Sequence, residues 1–190
     1  ITFTVDDLPE AYAIPTNLTT VCDDELDPTD QDGLFAFDTS SFQSTILGTQ
    51  TGMLVNYFDE TGNSLPSPLP NPLVSGTQNI IVEVINPVNT ICKATMIIPL
   101  VVNPLPEIEL YGDELICSNN PLFTKVINAG LLDETTVSNF TYQWFLDGSI
   151  IFTATNYDLT VNTEGVYTVE VTNSNGCLRT RAITVTASDI

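Results

Sequence analysis

Chemistry in this chain starts with four cysteines and no histidine. Cys22 and Cys117 stand near the start of a repeated cassette, and Cys92 and Cys177 near its end. The repeat shows as TVDDLPE at Thr4–Glu10 returning as VVNPLPE at Val101–Glu107. It shows again as VEV, at Val82–Val84 and Val169–Val171, each followed by a polar turn and a cysteine. Thiols in such a pattern read as a disulfide framework, and four of them admit three connectivities. The repeat favours one bond per unit, Cys22–Cys92 and Cys117–Cys177. Those bonds would close loops of about 70 and 60 residues, worth roughly 4 kcal/mol each on a chain-entropy basis. Four buried free thiols are the alternative.

The second concentration of chemistry is acidic. Asp23, Asp24, Asp27, Asp30 and Asp32, with Glu25, crowd into ten residues and end at Gly33. So many carboxylates repel one another unless solvent or a cation intervenes. Calcium takes six to eight oxygen ligands in flexible geometry, and glycine permits the tight turn. The run is not an EF-hand, because the bidentate Glu and the flanking helices are missing. Asp23, Asp30 and Asp32 are the leading ligands, then Asp24 and Asp27, while Asp38 reads as a helix cap. Such a calcium ion would be structural, and a merely solvated loop is the competing reading. Zinc is not expected without histidine.

Catalysis finds little to work with. No Ser-His-Asp or Cys-His arrangement can be built, which leaves carboxylate pairs or lysine. Asp59-Glu60 sits in a polar stretch that reads as a hairpin tip, and Asp133-Glu134 in a solvated loop. An enzyme is therefore not expected. Lys125 is the one lysine placed for an isopeptide crosslink, a job the cysteines already do. Asn17-Leu18-Thr19 and Asn139-Phe140-Thr141 match a glycan acceptor pattern, a match expected to be accidental. Tyr57, Tyr111, Phe145 and Tyr157 are the aromatics considered for a sugar-binding face.

The positions of these residues depend on elements of period two. In Thr141–Asp147, Tyr142, Trp144 and Leu146 share one face, and in Val166–Thr172 Tyr167, Val169 and Val171 do. Strands are expected near 17–22, 34–38, 52–58, 79–86 and 91–102, then 107–111, 114–118, 122–127, 141–147, 149–153, 156–161, 166–172 and 178–187. One short helix is expected where Phe42, Ile46 and Leu47 follow Asp38-Thr39-Ser40 and precede Gly48. Turns rich in Pro, Asn and Gly separate the rest. Short strands in units near 90 residues imply an all-β chain of β-sandwiches. The expected division is 1–8 as the end of a preceding unit, 9–103 as one domain and 104–190 as the next. Asn103-Pro104-Leu105-Pro106 would join the two domains as a stiff linker.

Composition limits the partners. Four basic residues against 24 acidic ones give a net charge of −20, which repels nucleic acid and anionic lipid. With 43% hydrophobic residues the chain is nonetheless too apolar for a disordered acidic tail. Its longest apolar run, Met96–Val102, is far too short for a membrane span. Paired cysteines fit an oxidising compartment. The chain opens on Ile1 and is read as an excerpt of a longer polypeptide.

YQWFLDG, NYDLTV and EGVYTVEVTNSNGC in the second unit resemble bacterial Ig-like and PKD-like modules. On that resemblance Trp144 would be the core tryptophan and Tyr167 a tyrosine-corner residue. The first unit carries CDDELDPTDQDGLFAFD, LVNYFDETGNSLPSPLPNP, NIIVEVINPVNTIC and LVVNPLP. These resemble tandem repeats of giant secreted surface proteins of gliding bacteria, including SprB-type motility adhesins exported by the type IX system. The resemblance implies two tandem Ig-like β-sandwiches, each with one intradomain disulfide, in a stalk used for surface adhesion and gliding. Its partners would be neighbouring repeats, with surface polysaccharide or protein as ligand. The alternative is a carbohydrate- or protein-binding module of a secreted bacterial protein.

Overall fold

The structure, a computed structural model, describes residues 8–27, 30–117 and 122–188. Of the 1–8 segment expected to end a preceding unit, residues 1–7 lie outside them. The chain divides into two units. The first holds the residues up to Asp24 together with Asp32–Asn103, and the second holds Glu25–Gln31 together with Pro104 onward. A short stretch of the first unit's sequence is thus grouped with the second.

In the first unit β1 is Thr20–Cys22, β2 Phe35–Phe37, β3 Leu54–Phe58, β4 Ser64–Leu65, β5 Leu73–Ser75, β6 Gln78–Ile85 and β7 Lys93–Asn103. One sheet runs β1-β7-β6-β3-β4, and β2 pairs with β5 in another. All neighbours are antiparallel except β1, which lies parallel to β7. Helix α1, Phe42–Leu47, sends Phe42 and Ile46, one turn apart, into the core with Phe37, Tyr57, Ile80, Val82 and Ile98. Its cap differs from the expected one. Asp38 Oδ1 accepts from the Ser40 N–H at 3.0 Å, while Ser41, which makes no side-chain cap bond, precedes the first turn.

β7 contains Pro99, which cannot donate to a ladder. The Val101 N–H donates to Thr19 O at 2.8 Å, on the β1 side. Two residues earlier the proline nitrogen faces the same side, where the β1 pairing has not begun. The sheet therefore loses no bond.

In the second unit β8 is Tyr111–Cys117, β9 Lys125–Asn128, β10 Phe140–Leu146, β11 Ser149–Ile150, β12 Asp158–Val161, β13 Gly165–Asn173 and β14 Leu178–Ser188. The large sheet runs β11-β10-β13-β14-β8, and β9 pairs with β12. Again the first strand, β8, lies parallel to the last, β14. Trp144 is fully buried and its Nε1–H donates to Asn156 O at 2.9 Å. Tyr167 Oη donates to Thr163 O at 3.0 Å, four residues upstream. Those are the core tryptophan and tyrosine corner of an Ig-like sandwich.

The two units share one topology and one register. Trp144 pairs with Val169 as Tyr57 pairs with Val82, so a tyrosine occupies the tryptophan slot of the first unit. Thr172 pairs with Leu178 as Ile85 pairs with Lys93, and Cys117 pairs with Ser188 as Cys22 pairs with Asn103. The chain is all-β, two tandem Ig-like sandwiches.

Several elements differ from expectation. Thr16–Leu18 is a 3₁₀ turn rather than the start of a strand. The two strands expected near 107–111 and 114–118 are one, β8, preceded by a single bridge from Ile108 to Leu131. Gly112-Asp113 reads as a turn in isolation, but the edge of β14 supplies a full ladder to it. β4 and β5 flank the Pro66–Pro72 loop, where sequence pattern alone shows only turn residues. No helix of the described residues is long and apolar enough to cross a membrane.

Candidate functional site

Cys22 and Cys177 are joined in a disulfide, and Cys92 and Cys117 are free thiols. The expected pairing, Cys22–Cys92 and Cys117–Cys177, is therefore wrong. Register supplies the physical reason. Cys22 sits beside Asn103, the last residue of β7, whereas Cys92 immediately precedes Lys93, the first. Eleven strand residues separate the two levels, about 36 Å at 3.3 Å per residue. A disulfide requires Cα atoms within about 7 Å. β14 separates Cys117 from Cys177 in the same way. Within a unit the cysteines lie at opposite ends of the sheet, so the bond must link one unit to the other.

Each cysteine is set by its local fold. Cys177 closes the β13–β14 hairpin and is fully buried. Asn173 Oδ1 accepts from the N–H groups of Asn175 and Cys177, both at 3.0 Å, and Gly176 turns the chain at positive φ. Asn86 repeats this in the first unit: its Oδ1 accepts from the Val88 N–H, and its N–H donates to Cys92 O. Cys22 ends β1, and the next residue, Asp23, donates its N–H to Asn103 O at 2.8 Å.

The segment after Cys22 is tied down inside the second unit. Arg179, nearly buried on the inward face of β14, donates from Nη2 to Glu25 O at 2.7 Å and from Nη1 to Pro106 O at 3.2 Å. Gln31 Oε1 accepts from the Leu105 N–H at 2.6 Å, while its Nε2 donates to Leu105 O at 3.3 Å. Asn173 Nδ2 donates to Pro104 O at 2.8 Å. Every backbone polar group of Pro104-Leu105-Pro106 thus has a partner, since the prolines have no N–H to satisfy. The linker owes its order to these side chains as well as to its prolines. Arg179 and Arg181 could have been found from sequence, because alternation through Ile183 and Val185 places both on the core face. Arg181 pairs with Glu109 Oε2 at 2.7 Å.

Among the described residues, the acidic side chains that gather are Asp23, Asp24 and Glu25, with ligand atoms within 4.8 Å of one another. Asp27, Asp30 and Asp32 do not join that group. Asp23, only 4% exposed, accepts the Gly33 N–H on Oδ2 at 3.0 Å, and Asp32 Oδ1 accepts the Leu34 N–H at 2.8 Å. Turn capping thus occupies one oxygen on each. The trio offers three carboxylates toward the six to eight oxygens that calcium takes. They fit part of a calcium shell.

The remaining candidates have local roles. Asp59 caps the β3–β4 turn, accepting from Thr61 and Asn63, and these bonds lower its pKa to about 2. Asp133 caps a 3₁₀ turn at Glu134–Asn139 by accepting from the Thr135 N–H, and its pKa is lowered. Lys125 forms an ion pair with Glu114 at 2.7 Å. The four aromatics do not gather on one face, although Tyr111 and Phe145 fall in one cross-strand row with Ala182 and Thr168 on the outer side of the large sheet. Tyr57 is buried, Tyr111 is exposed, and Tyr157 packs edge-on against Tyr142 with its hydroxyl on Glu134.

An 18% identical structure, a Bacteroides ovatus mixed-linkage glucan utilization locus protein, SGBP-B, in complex with a heptasaccharide, aligns over 95% of this chain with a TM-score of 0.32. The chain spans 48% of that protein. The insect immune protein hemolin, 12% identical, aligns over 94% of this chain and 46% of its own, with a TM-score of 0.39. Similarity at that level carries no functional weight. No curated protein sequence matches. Residues 17–106, the first unit with the linker, match the model of a family described as the Flavobacterium inter-domain disulphide bond domain. The first unit is thereby similar to an Ig-like extracellular domain of flavobacterial type, a likeness in keeping with a disulfide between units.

Proposed function

We propose that this chain is a structural repeat segment of a secreted bacterial cell-surface adhesin, forming a stiff extracellular stalk used in adhesion and gliding. The observation that carries the reading is the Cys22–Cys177 bond between two modules of identical topology. A bond placed between repeats, with none inside either, serves the string of modules more than the single module. Persistence of such a bond requires an oxidising compartment. The family match of the first unit supports an extracellular setting. The net charge of −20 would keep neighbouring filaments apart. Gliding, type IX export and a SprB-type parent belong to this proposal through sequence resemblance. Calcium shared by Asp23, Asp24 and Glu25 belongs to it too, as a brace beside Cys22.

The competing reading, by sequence resemblance, is a carbohydrate- or protein-binding module of a secreted bacterial protein. Glycan and protein array screening of the chain separates the two readings. Saturable binding by this chain alone would overturn the stalk. Loss of cell adhesion on deleting the segment, with no ligand for the segment itself, is the expected result.

A further inference from the structure

The outer side of the first unit's large sheet is apolar, where an antiparallel sheet ordinarily turns polar residues to water. Phe58, Ile81 and Ile97 form one cross-strand row over β3, β6 and β7, alternating with the buried Tyr57, Val82 and Ile98. Leu54 and Ile85 make a second row toward one end of the face, and Pro99 and Val101 extend it along β7 toward the other. Leu54 and Ile97 are 53% and 57% exposed.

The second unit shows that the fold does not require this. Where the first has Leu54, Ile81, Ile85 and Val101, register gives the second Thr141, Thr168, Thr172 and Thr186, and Ala182 replaces Ile97. Threonine has the branched shape that suits a strand and offers water a hydroxyl. Strand formation therefore leaves these positions free to be polar, and in the first unit they are not. At about 4.8 Å between strands and 3.3 Å per residue, the face over β3, β6 and β7 measures about 14 Å by 26 Å, close to 400 Å². Apolar patches of that size are often functional.

Charge indicates what covers it. Among the described residues the charged side chains of the face are Lys93 and Glu83, diagonal neighbours on β7 and β6 with Nζ and Oε1 2.6 Å apart. They sum to zero on a chain of net charge −20, so two such faces can meet without the repulsion carried elsewhere. The pair is also self-complementary. A two-fold axis along the strands, between β6 and β7, sets Lys93 of each copy over Glu83 of the other.

We propose that this face pairs two copies of the chain, sheet against sheet, about that axis. Aligned sheets pack about 10 Å apart with strand directions within about 30°. Both copies then run the same way, as copies held by one end on one surface do, and in that setting the inference rests on the stalk reading. About 400 Å² per copy is half the roughly 800 Å² of a stable complex. The pair is therefore weak, and tethering supplies the local concentration it needs.

The test is sedimentation equilibrium of the intact chain, its free thiols blocked with iodoacetamide, from about 10 µM to about 1 mM. A monomer–dimer equilibrium is expected, tighter at about 0.5 M than at about 0.05 M NaCl because salt screens the repulsion between acidic copies. A monomer at every concentration and salt would overturn the inference. Ile81→Thr with Ile97→Ala, the residues the second unit uses, should raise Kd at least about tenfold, and an unchanged Kd would overturn the assignment to this face. Lys93→Glu and Glu83→Lys, both at a solvent-accessible pair, keep the test independent of folding. Mixed together they restore opposite charges across the axis, so the mixed dimer should be favoured roughly tenfold over either homodimer. Equal affinities would refute the two-fold arrangement. A glycan or protein ligand found on arrays would remove the stalk reading and leave this dimer measurable, whereas a monomer removes the inference alone.

Discussion

Pulling on the two ends of this chain should reveal the bond as a change in length. With Cys22–Cys177 closed, load applied at the termini crosses the disulfide, and the residues between the cysteines are off the load path. Only the segments before Cys22 and after Cys177 can be stretched. These amount to about 34 residues, roughly 120 Å at 3.5 Å per residue. Cutting the bond, with reductant or by Cys22→Ser, releases about 155 further residues, roughly 540 Å less the folded span. Single-molecule force spectroscopy of the chain held at its termini reads both lengths directly. The reductant-treated chain should show two unfolding events, one per sandwich, and the oxidised chain none of comparable size. Two full-length events before reduction would refute the pairing and the mechanical argument built on it.

Two tyrosines should respond with opposite sign to losing the same atom. Tyr57 Oη is buried with no hydrogen-bond partner among the described residues, and burial raises its pKa to about 12. Tyr57→Phe should stabilise the first unit by about 1 kcal/mol, some 4–8 °C in a thermal melt of a domain this size. Tyr167→Phe removes the bond to Thr163 O and should destabilise the second unit by about 1 kcal/mol in the same melt. Gly130→Ala should be worse. Its Cβ would lie 1.8 Å from Arg181 Nη1 at φ +71, so left-handed backbone strain of about 1–2 kcal/mol adds to displacement of a nearly buried guanidinium. Urea denaturation of the second unit would check this. Asp59, held near pKa 2 against an ordinary 3.8, stabilises its turn above about pH 4 and loses that contribution as pH falls through 2. A carboxyl NMR titration should place its midpoint near 2, and one near 3.8 would contradict the cap. Calcium should raise the melting temperature of the wild type more than that of Asp24→Asn, a comparison made with and without chelator.

Alternation and repetition were enough to read the all-β class and the placing of Tyr142, Trp144 and Leu146 on one face, helical spacing gave the short helix around Phe42–Leu47, and family resemblance implied the tyrosine corner. These features depend on residues close in sequence, where period and capping act directly. The edge strand β8, the two-stranded β2–β5 sheet and the reach of Glu25–Gln31 to Arg179 were not legible in this way. Each depends on a partner tens of residues away that supplies the hydrogen bonds. The acidic segment shows the same limit. Its composition marked it for cation chemistry, but backbone N–H groups of Gly33 and Leu34 occupy oxygens of Asp23 and Asp32.

The cysteines divide the two kinds of information most sharply. Counting them and finding the repeat establish two thiols per module at set places along the cassette. Which thiols meet depends on where strand register carries them, and a strand of eleven residues holds the members of one module at opposite ends of a sheet. The order of residues therefore determined that the modules repeat. Only the folded sheet decided that their covalent bond runs from one module to the next.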